Sequence, residues 1–321
     1  MIVEQANGNY TDFRIPGIVV TKNGTLLRYC ECRKGDSDWA DIDIKISRSE
    51  NEGLNWETVL LIENENNTLN NPVMFVDGKQ LIFLFCKNYK EIWKCVSTDD
   101  GKSFSKAVRV NFESSIDFFY NVVAVGPGHG IVHKGRLIVP VWFAYNKEDQ
   151  MSHYPSFIST LYSDNHGENW QIGELIFKDE LINPSECALA VTAQNEVLIS
   201  IRHECRNEKR GFATSMDGIS DWKDLSFNEK IPDPICMGSM THRDGKIFHI
   251  NCDSKTDRKN LTVKISDNCF KTFDSIFVSE IAGYSDIAVF ENKLYVYYEK
   301  SAKNHNNTFE PFTLHFEIIQ L

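Results

Sequence analysis

One eight-residue pattern recurs along the chain and narrows the folds open to it. SENEGLNW (49–56), STDDGKSF (97–104) and SDNHGENW (163–170) each read Ser, any residue, Asp or Asn, any residue, Gly, any residue, a polar residue and an aromatic. Two looser copies follow, SMDGISDW (215–222) and SDNCFKTF (266–273), so the starts lie 48, 66, 52 and 51 residues apart. Each copy has a physical reading: Asp or Asn closes a turn on its own backbone, Gly supplies a positive φ, and the aromatic packs beside the hairpin. A spacing of roughly 50 residues suits one four-stranded antiparallel sheet per repeat, and the length of the chain then accommodates about six. The expectation is an all-β fold, a six-bladed β-propeller.

The segments between boxes agree. GIVVTKNGTLLRYCEC, KQLIFLFCKN, RLIVPVWFAY, EVLISIRHE, KIFHINCD and NKLYVYYEK are rich in β-branched and aromatic residues and are bounded by turn signals. Long 3.6-residue periodicity is absent and no Pro- or Ser-rich linker divides the chain, so residues 1–321 are expected to form one catalytic domain. With 45 acidic and 34 basic side chains, net −11, and no basic cluster, the composition argues against nucleic acid as a partner. It also disfavours capture of anions from a distance, so an anionic ligand must be held by a local group of cations. No window approaches 18 apolar residues and the opening residues lack the basic-then-apolar pattern of a leader, so neither membrane insertion nor export is expected. Nine cysteines without a CxxC pair, several inside apolar runs, read as reduced thiols of a cytoplasmic protein and not as a metal site.

Residues 13–17, FRIPG, wedge an arginine between apolar neighbours, where a cation is costly unless an anion meets it. FRIP followed by such boxes resembles the sialidases (neuraminidases), and the resemblance extends in order through ECRKGDSDWADID (31–43), GPGHGI (126–131), NPSECALAV (183–191), ISIRHE (199–204), DRKNLTVKIS (257–266), GYSDIAV (283–289) and YYE (297–299). It implies a retaining exo-α-sialidase acting on sialylated glycans without a cofactor, expected here as a monomer. Three guanidinium forks, Arg14, Arg202 and Arg258, would surround the sugar carboxylate. Tyr284 matches the family's nucleophile. A neutral phenol avoids the repulsion that a carboxylate nucleophile would meet at an anomeric carbon already bearing an anion. Glu186 matches the base that activates it, and Glu299 a glutamate bracing Arg14.

Resemblance to the SDW-x-DI form of bacterial sialidases implies Asp38 as the general acid, with Asp41 as the runner-up and Asp36 and Asp43 expected at the solvent or in turns. Arg33 is expected to line the sugar pocket. Met237 stands where many bacterial relatives carry a glutamine near the glycerol or N-acetyl group. Residues 146–155, NKEDQMSHYP, are an excess that either overhangs the pocket or forms a plain surface loop, and Trp39, Trp142 and Tyr145 are pocket walls or core. Three outcomes stay open: hydrolysis, transfer or anhydro-sugar formation at the same site, and a non-catalytic sugar-binding propeller.

Overall fold

A computed structural model describes residues 1–63, 66–113, 120–301 and 310–321. Alternating apolar patterning and tight turns make these residues strands throughout, and six antiparallel sheets form a ring. Blade I comprises Asp12–Val20, Leu26–Arg33, Ile42–Ser49 and Glu57–Ile62; blade II, Leu69–Asp77, Gln80–Lys87, Glu91–Ser97 and Val108–Val110. Blade III comprises Val122–Val125, Arg136–Ala144, Ser156–Ser163 and Trp170–Ile172; blade IV, Cys187–Val191, Val197–Ile201, Lys209–Ser215 and Lys223–Pro232. Blade V comprises Ser239–Arg243, Lys246–Cys252, Lys259–Ser266 and Asp274–Ile281. Blade VI takes Ser285–Phe290, Lys293–Lys300 and Thr313–Gln320 from one end of the chain and Ile2–Glu4 from the other, which pairs with Thr313–Gln320 and closes the ring. No helix among the described residues is long and apolar enough to cross a membrane.

Every box connects the third and fourth strands of its blade. At 163–170 the Ser163 hydroxyl donates to Asn165 Oδ1 (2.9 Å) and accepts the Gly167 N–H (2.9 Å), while Asn165 Oδ1 also accepts the Asn169 N–H (2.9 Å). Gly167 has φ +82°, a region a side chain occupies only under strain. The box aromatics do more than cover their own hairpin: Trp170 packs on Phe75 of blade II and Trp56 on Phe316 of blade VI, so they knit neighbouring blades together. In the degraded copy at 266–273, Phe270 replaces glycine at φ +61°, still donating its N–H to Ser266 (3.0 Å), and its fully buried ring against Phe212 and Phe273 offsets the local strain. All nine cysteines are free, eight buried and Cys269 half-buried.

The sheets splay from the ring axis, so the inner strands begin around one mouth of the central channel. There the chain departs from regular pairing: between Arg14↔Glu31 and Gly17↔Tyr29 three steps on one strand face two on the other, and Ile15 takes φ +55°. This bulge turns Arg14 out of the sheet toward the axis.

Candidate functional site

At that mouth lies a cavity of ≈ 270 Å³, lined by Arg14, Arg33, Asp38, Glu186, Arg202, Arg258 and Tyr284, with Tyr89, Trp142, His153 and Tyr154 on its far wall. Its size is near the low end for ligand sites, roughly 300–1,000 Å³, and suits one sugar unit. Residues 14 to 284 of the polymer therefore meet in one chamber. Each sits at the end of an inner strand or in the loop that follows its neighbour, where a propeller brings successive blades together.

Glu299, fully buried, organises one wall. Its Oε1 accepts Arg14 Nε (3.1 Å) and the Ile15 N–H (2.9 Å), and its Oε2 accepts Arg14 Nη2 (3.2 Å) and the Tyr284 N–H (3.0 Å). One carboxylate thus holds both the strained bulge and the residue carrying the phenol. Burial would raise its pKa, but Arg14 and the two N–H groups outweigh that and lower it. The Arg14 guanidinium also lies over the Phe312 ring at 4.2 Å.

Tyr284 is almost completely buried, and its hydroxyl donates to Glu186 Oε2 at 2.6 Å while accepting from Arg202 Nη1 at 2.9 Å. Arg202 Nη1 also bonds Glu186 Oε2. Three guanidinium groups surround the ring, with Cζ to centroid distances of 5.3 Å for Arg14, 6.0 Å for Arg202 and 5.3 Å for Arg258. Burial raises the phenol pKa far above its ordinary value, and the anionic Glu186 adds to this, against the pull of Arg202, Arg258 and Arg14. The phenol therefore keeps its proton, which it donates to Glu186. Arg202 Nε is buried without a partner among the described residues, a donor left for a ligand.

Arg33 supports the opposite rim. Its Nε and Nη2 donate to buried Glu31 Oε2 (2.9 and 2.6 Å), and its Nη1 donates to Asp38 Oδ1 (2.8 Å). Asp38 is half-exposed at the cavity mouth, and its backbone carbonyl is held by Asn70 Nδ2 (3.1 Å). Burial pushes the Asp38 carboxyl up, but Arg33 and Arg14 together hold it below the usual carboxylate range. Asp41 instead pairs with Lys34 (3.3 Å) and is not part of the cavity lining.

Several expectations need correction. Asp43 is neither at the solvent nor in a turn: it is fully buried and accepts the Tyr10 hydroxyl (2.9 Å) and Lys34 Nζ (3.1 Å). Met237 is buried in the axial core with Ile15 and Ile250 and does not line the cavity. The 146–155 excess is resolved in favour of an overhang, since His153 and Tyr154 form cavity wall. Trp142 is a wall residue, whereas Trp39 stacks behind it on Tyr89 (4.9 Å) and His153 (6.0 Å).

Sequence reasoning missed Glu31, although a signal existed: it lies two residues before Arg33 in an apolar strand, on the same face. It missed His153, for which no local signal exists. His153 Nε2 and Trp142 Nε1, like Asn71 Nδ2, are buried without a partner among the described residues. A ligand presenting acceptors would satisfy the two that can only donate.

Known proteins resemble both the sequence and the shape. Residues 29–296 match the model of the BNR repeat-like domain. A sialidase of Bacteroides fragilis is 25% identical over 301 residues, covering 80% of this chain and 53% of that protein, so the chain spans about half the length of this relative. Among solved structures, Hadza microbial sialidase Hz136 superposes with a TM-score of 0.80 at 20% identity, covering 98% of this chain and 66% of that one. Trypanosoma rangeli sialidase in complex with 2,3-difluorosialic acid, described as a covalent intermediate, superposes with a TM-score of 0.76 at 20% identity, covering 98% and 56%. At such identities these structures speak for the fold, while the family match spans most of the chain, including every box and all of the cavity arginines but Arg14. By that match the chain belongs to the BNR repeat-like domain family.

Proposed function

We propose that the cavity is the active site of a retaining exo-α-sialidase. One observation carries this reading: a buried phenol, hydrogen-bonded to a carboxylate, ringed by three guanidinium groups. The guanidinium cluster suits a planar carboxylate on the anomeric carbon, and a chamber the size of one sugar suits a chain-terminal residue.

The chemistry divides as follows. Glu186 takes the Tyr284 proton as the phenolate oxygen bonds to the anomeric carbon, and the positive charge of Arg202 stabilises the oxygen as it loses its proton. The glycosidic bond breaks with its electron pair leaving on the aglycone oxygen, which Asp38 protonates. In the second half Asp38, now a carboxylate, removes a proton from water. That water attacks the anomeric carbon, the carbon–phenol bond breaks, and Glu186 returns its proton to Tyr284. The sum is glycoside plus water giving free sugar plus alcohol.

Arg33 and Arg14 hold the Asp38 carboxyl low, and the carboxylate of the substrate counters them. A second anion among the arginines offsets their field and lifts Asp38 toward the protonated form needed for its role.

The test uses an aryl α-sialoside and a 3-fluorosialosyl fluoride. Wild type is expected to release the aryl group and to accumulate a fluorosugar adduct on Tyr284, located by peptide mass spectrometry; Tyr284→Phe is expected to lose at least a thousandfold in kcat and to carry no adduct. A Phe variant with wild-type turnover removes Tyr284 from the mechanism. Product analysis by NMR separates hydrolysis from transfer or an anhydro sugar.

A further inference from the structure

GPGHGI contributes nothing to the cavity lining, yet it occupies the axis of the ring. Gly128 and His129 form a short strand parallel to the inner strand of blade II, in the register Gly128↔Val73 and His129↔Met74. The Tyr29 hydroxyl donates to the Gly128 carbonyl (2.7 Å) and accepts the Met74 N–H (3.2 Å), fixing the insertion in place. Gly128 has φ +100°, and a methyl on it would sit 3.1 Å from Met237 Cε and 3.5 Å from Asp286 Oδ1, so only glycine passes through.

Asp286 stands opposite, two residues beyond Tyr284 and fully buried. Its carboxylate accepts the Ile18 N–H of blade I (2.8 Å), the Ser239 hydroxyl of blade V (2.5 Å), its neighbour Ile287 N–H (2.9 Å) and His129 Nδ1 (2.8 Å). A carboxylate only accepts, so Nδ1 carries the hydrogen. The inner strands of blades I, V and VI share no sheet hydrogen bonds with one another. This cluster supplies a link where the sheets supply none.

We propose that Asp286 and His129 are positioning residues for Tyr284, pinning the Ser285–Phe290 strand at a second point so that the phenol is aimed at the cavity and not merely located there. One anchor, Glu299 on the Tyr284 N–H, fixes a point; a second anchor two residues on fixes a direction. The imidazole is well placed for the task. Burial disfavours its charged form, but Asp286 outweighs that and raises its pKa. His242 and Tyr29 are the other titratable groups that face the pair. The proposal rests on the sialidase reading, and its test separates the two.

Two amide replacements divide the functions of the imidazole. His129→Asn keeps a donor where Nδ1 stood, toward Asp286; His129→Gln carries its amide where the other nitrogen stood, away from Asp286. With an aryl α-sialoside, the Asn variant is expected within about threefold of wild-type kcat, and the Gln variant about 10- to 100-fold lower. The Kd for free sialic acid by calorimetry is expected to stay within about threefold in both, because Arg14 keeps its bidentate bond to Glu299. Equal kcat in the two variants, whether both normal or both lost, overturns the proposal. If the Gln variant does not fold, Ser239→Ala removes one donor and leaves His129 in place, and an unchanged kcat there overturns it equally. If wild type turns over no sialoside, the sialidase reading fails by itself. The pin is then read by amide hydrogen exchange of residues 283–288, expected to quicken in the Gln variant alone, and uniform exchange counts against it.

Discussion

Replacing Glu299 with glutamine exchanges a single oxygen for an NH₂ group and tests the framework of the cavity. The native carboxylate accepts four hydrogen bonds, two at each oxygen. In Glu299→Gln one oxygen becomes an NH₂ group, so whichever way the amide turns it faces two donors: Arg14 Nε with Ile15 N–H, or Arg14 Nη2 with Tyr284 N–H. Each buried donor left unpaired costs roughly 1–3 kcal/mol, and breaking a buried ion pair costs roughly 3–5 kcal/mol. These losses overlap, so the expected destabilisation is about 3–5 kcal/mol in total. For 321 residues at roughly 2.1 cal/mol/K each, the unfolding entropy is about 0.7 kcal/mol/K, and Tm should fall by about 4–7 °C. Differential scanning calorimetry reads this directly. The pH dependence adds a second check. The Glu299 pKa is lowered in the folded state, so its contribution is complete above the unfolded value of about 4.3 and is lost as pH falls through the folded value. The Tm gap between wild type and variant should therefore be full at pH 6 and narrow below about pH 4. A gap under 1 °C at pH 6, or one that widens in acid, refutes the reasoning.

Arg258 makes no ion pair among the described residues, unlike Arg14 and Arg202. Arg258→Ala should therefore leave Tm within about 1 °C while weakening sialic acid binding at least tenfold by calorimetry; the reverse outcome would make it a structural cation. Because Arg33 and Arg14 hold Asp38 low, kcat/KM, which reports the free enzyme, should rise as pH falls from 7 toward 5, with the corresponding limb of kcat at higher pH. Profiles that are flat from pH 5 to 8, or unaltered in Asp38→Asn, would exclude Asp38 as the acid. Gly167→Ala places a methyl at φ +82° and 3.1 Å from Ile82 Cδ1, and urea unfolding should show a loss of about 1–3 kcal/mol with kcat unchanged at 25 °C. An unaffected midpoint would mean that the box turn can reshape without cost.

Much of the architecture is legible before any coordinates. The box at 163–170 announces its turn because Ser, Asn and Gly act within eight residues on backbone that is local to them, and the 50-residue spacing counts the blades. The cavity residues are legible in a different way, through the resemblance of ordered short motifs, and Arg14 is legible through the physical cost of its apolar setting. Asp43 was misjudged because its burial depends on Tyr10 and Lys34, partners that no local pattern names. Met237 was misplaced because a motif match carries no information about whether a side chain points along the axis or into the cavity. His153 is not legible because the 146–155 loop packs on Tyr89 of blade II as well as on Trp142 of its own blade.

Local chemistry sets the alternation of strands and tight turns, the repetition of the sheets, and which side chains carry charge into apolar surroundings; these follow from backbone preferences and transfer energies that act within a few residues. Ring assembly sets the rest: Glu299 bonds to Arg14 and Tyr284 at once, Glu186 meets the phenol from 98 positions away along the chain, and His129 faces Asp286. Such contacts depend on where a closed ring brings its inner strands. Closure is a property of all six sheets together, fixed by twist, stagger and the Ile2–Glu4 strand, and no single segment encodes it.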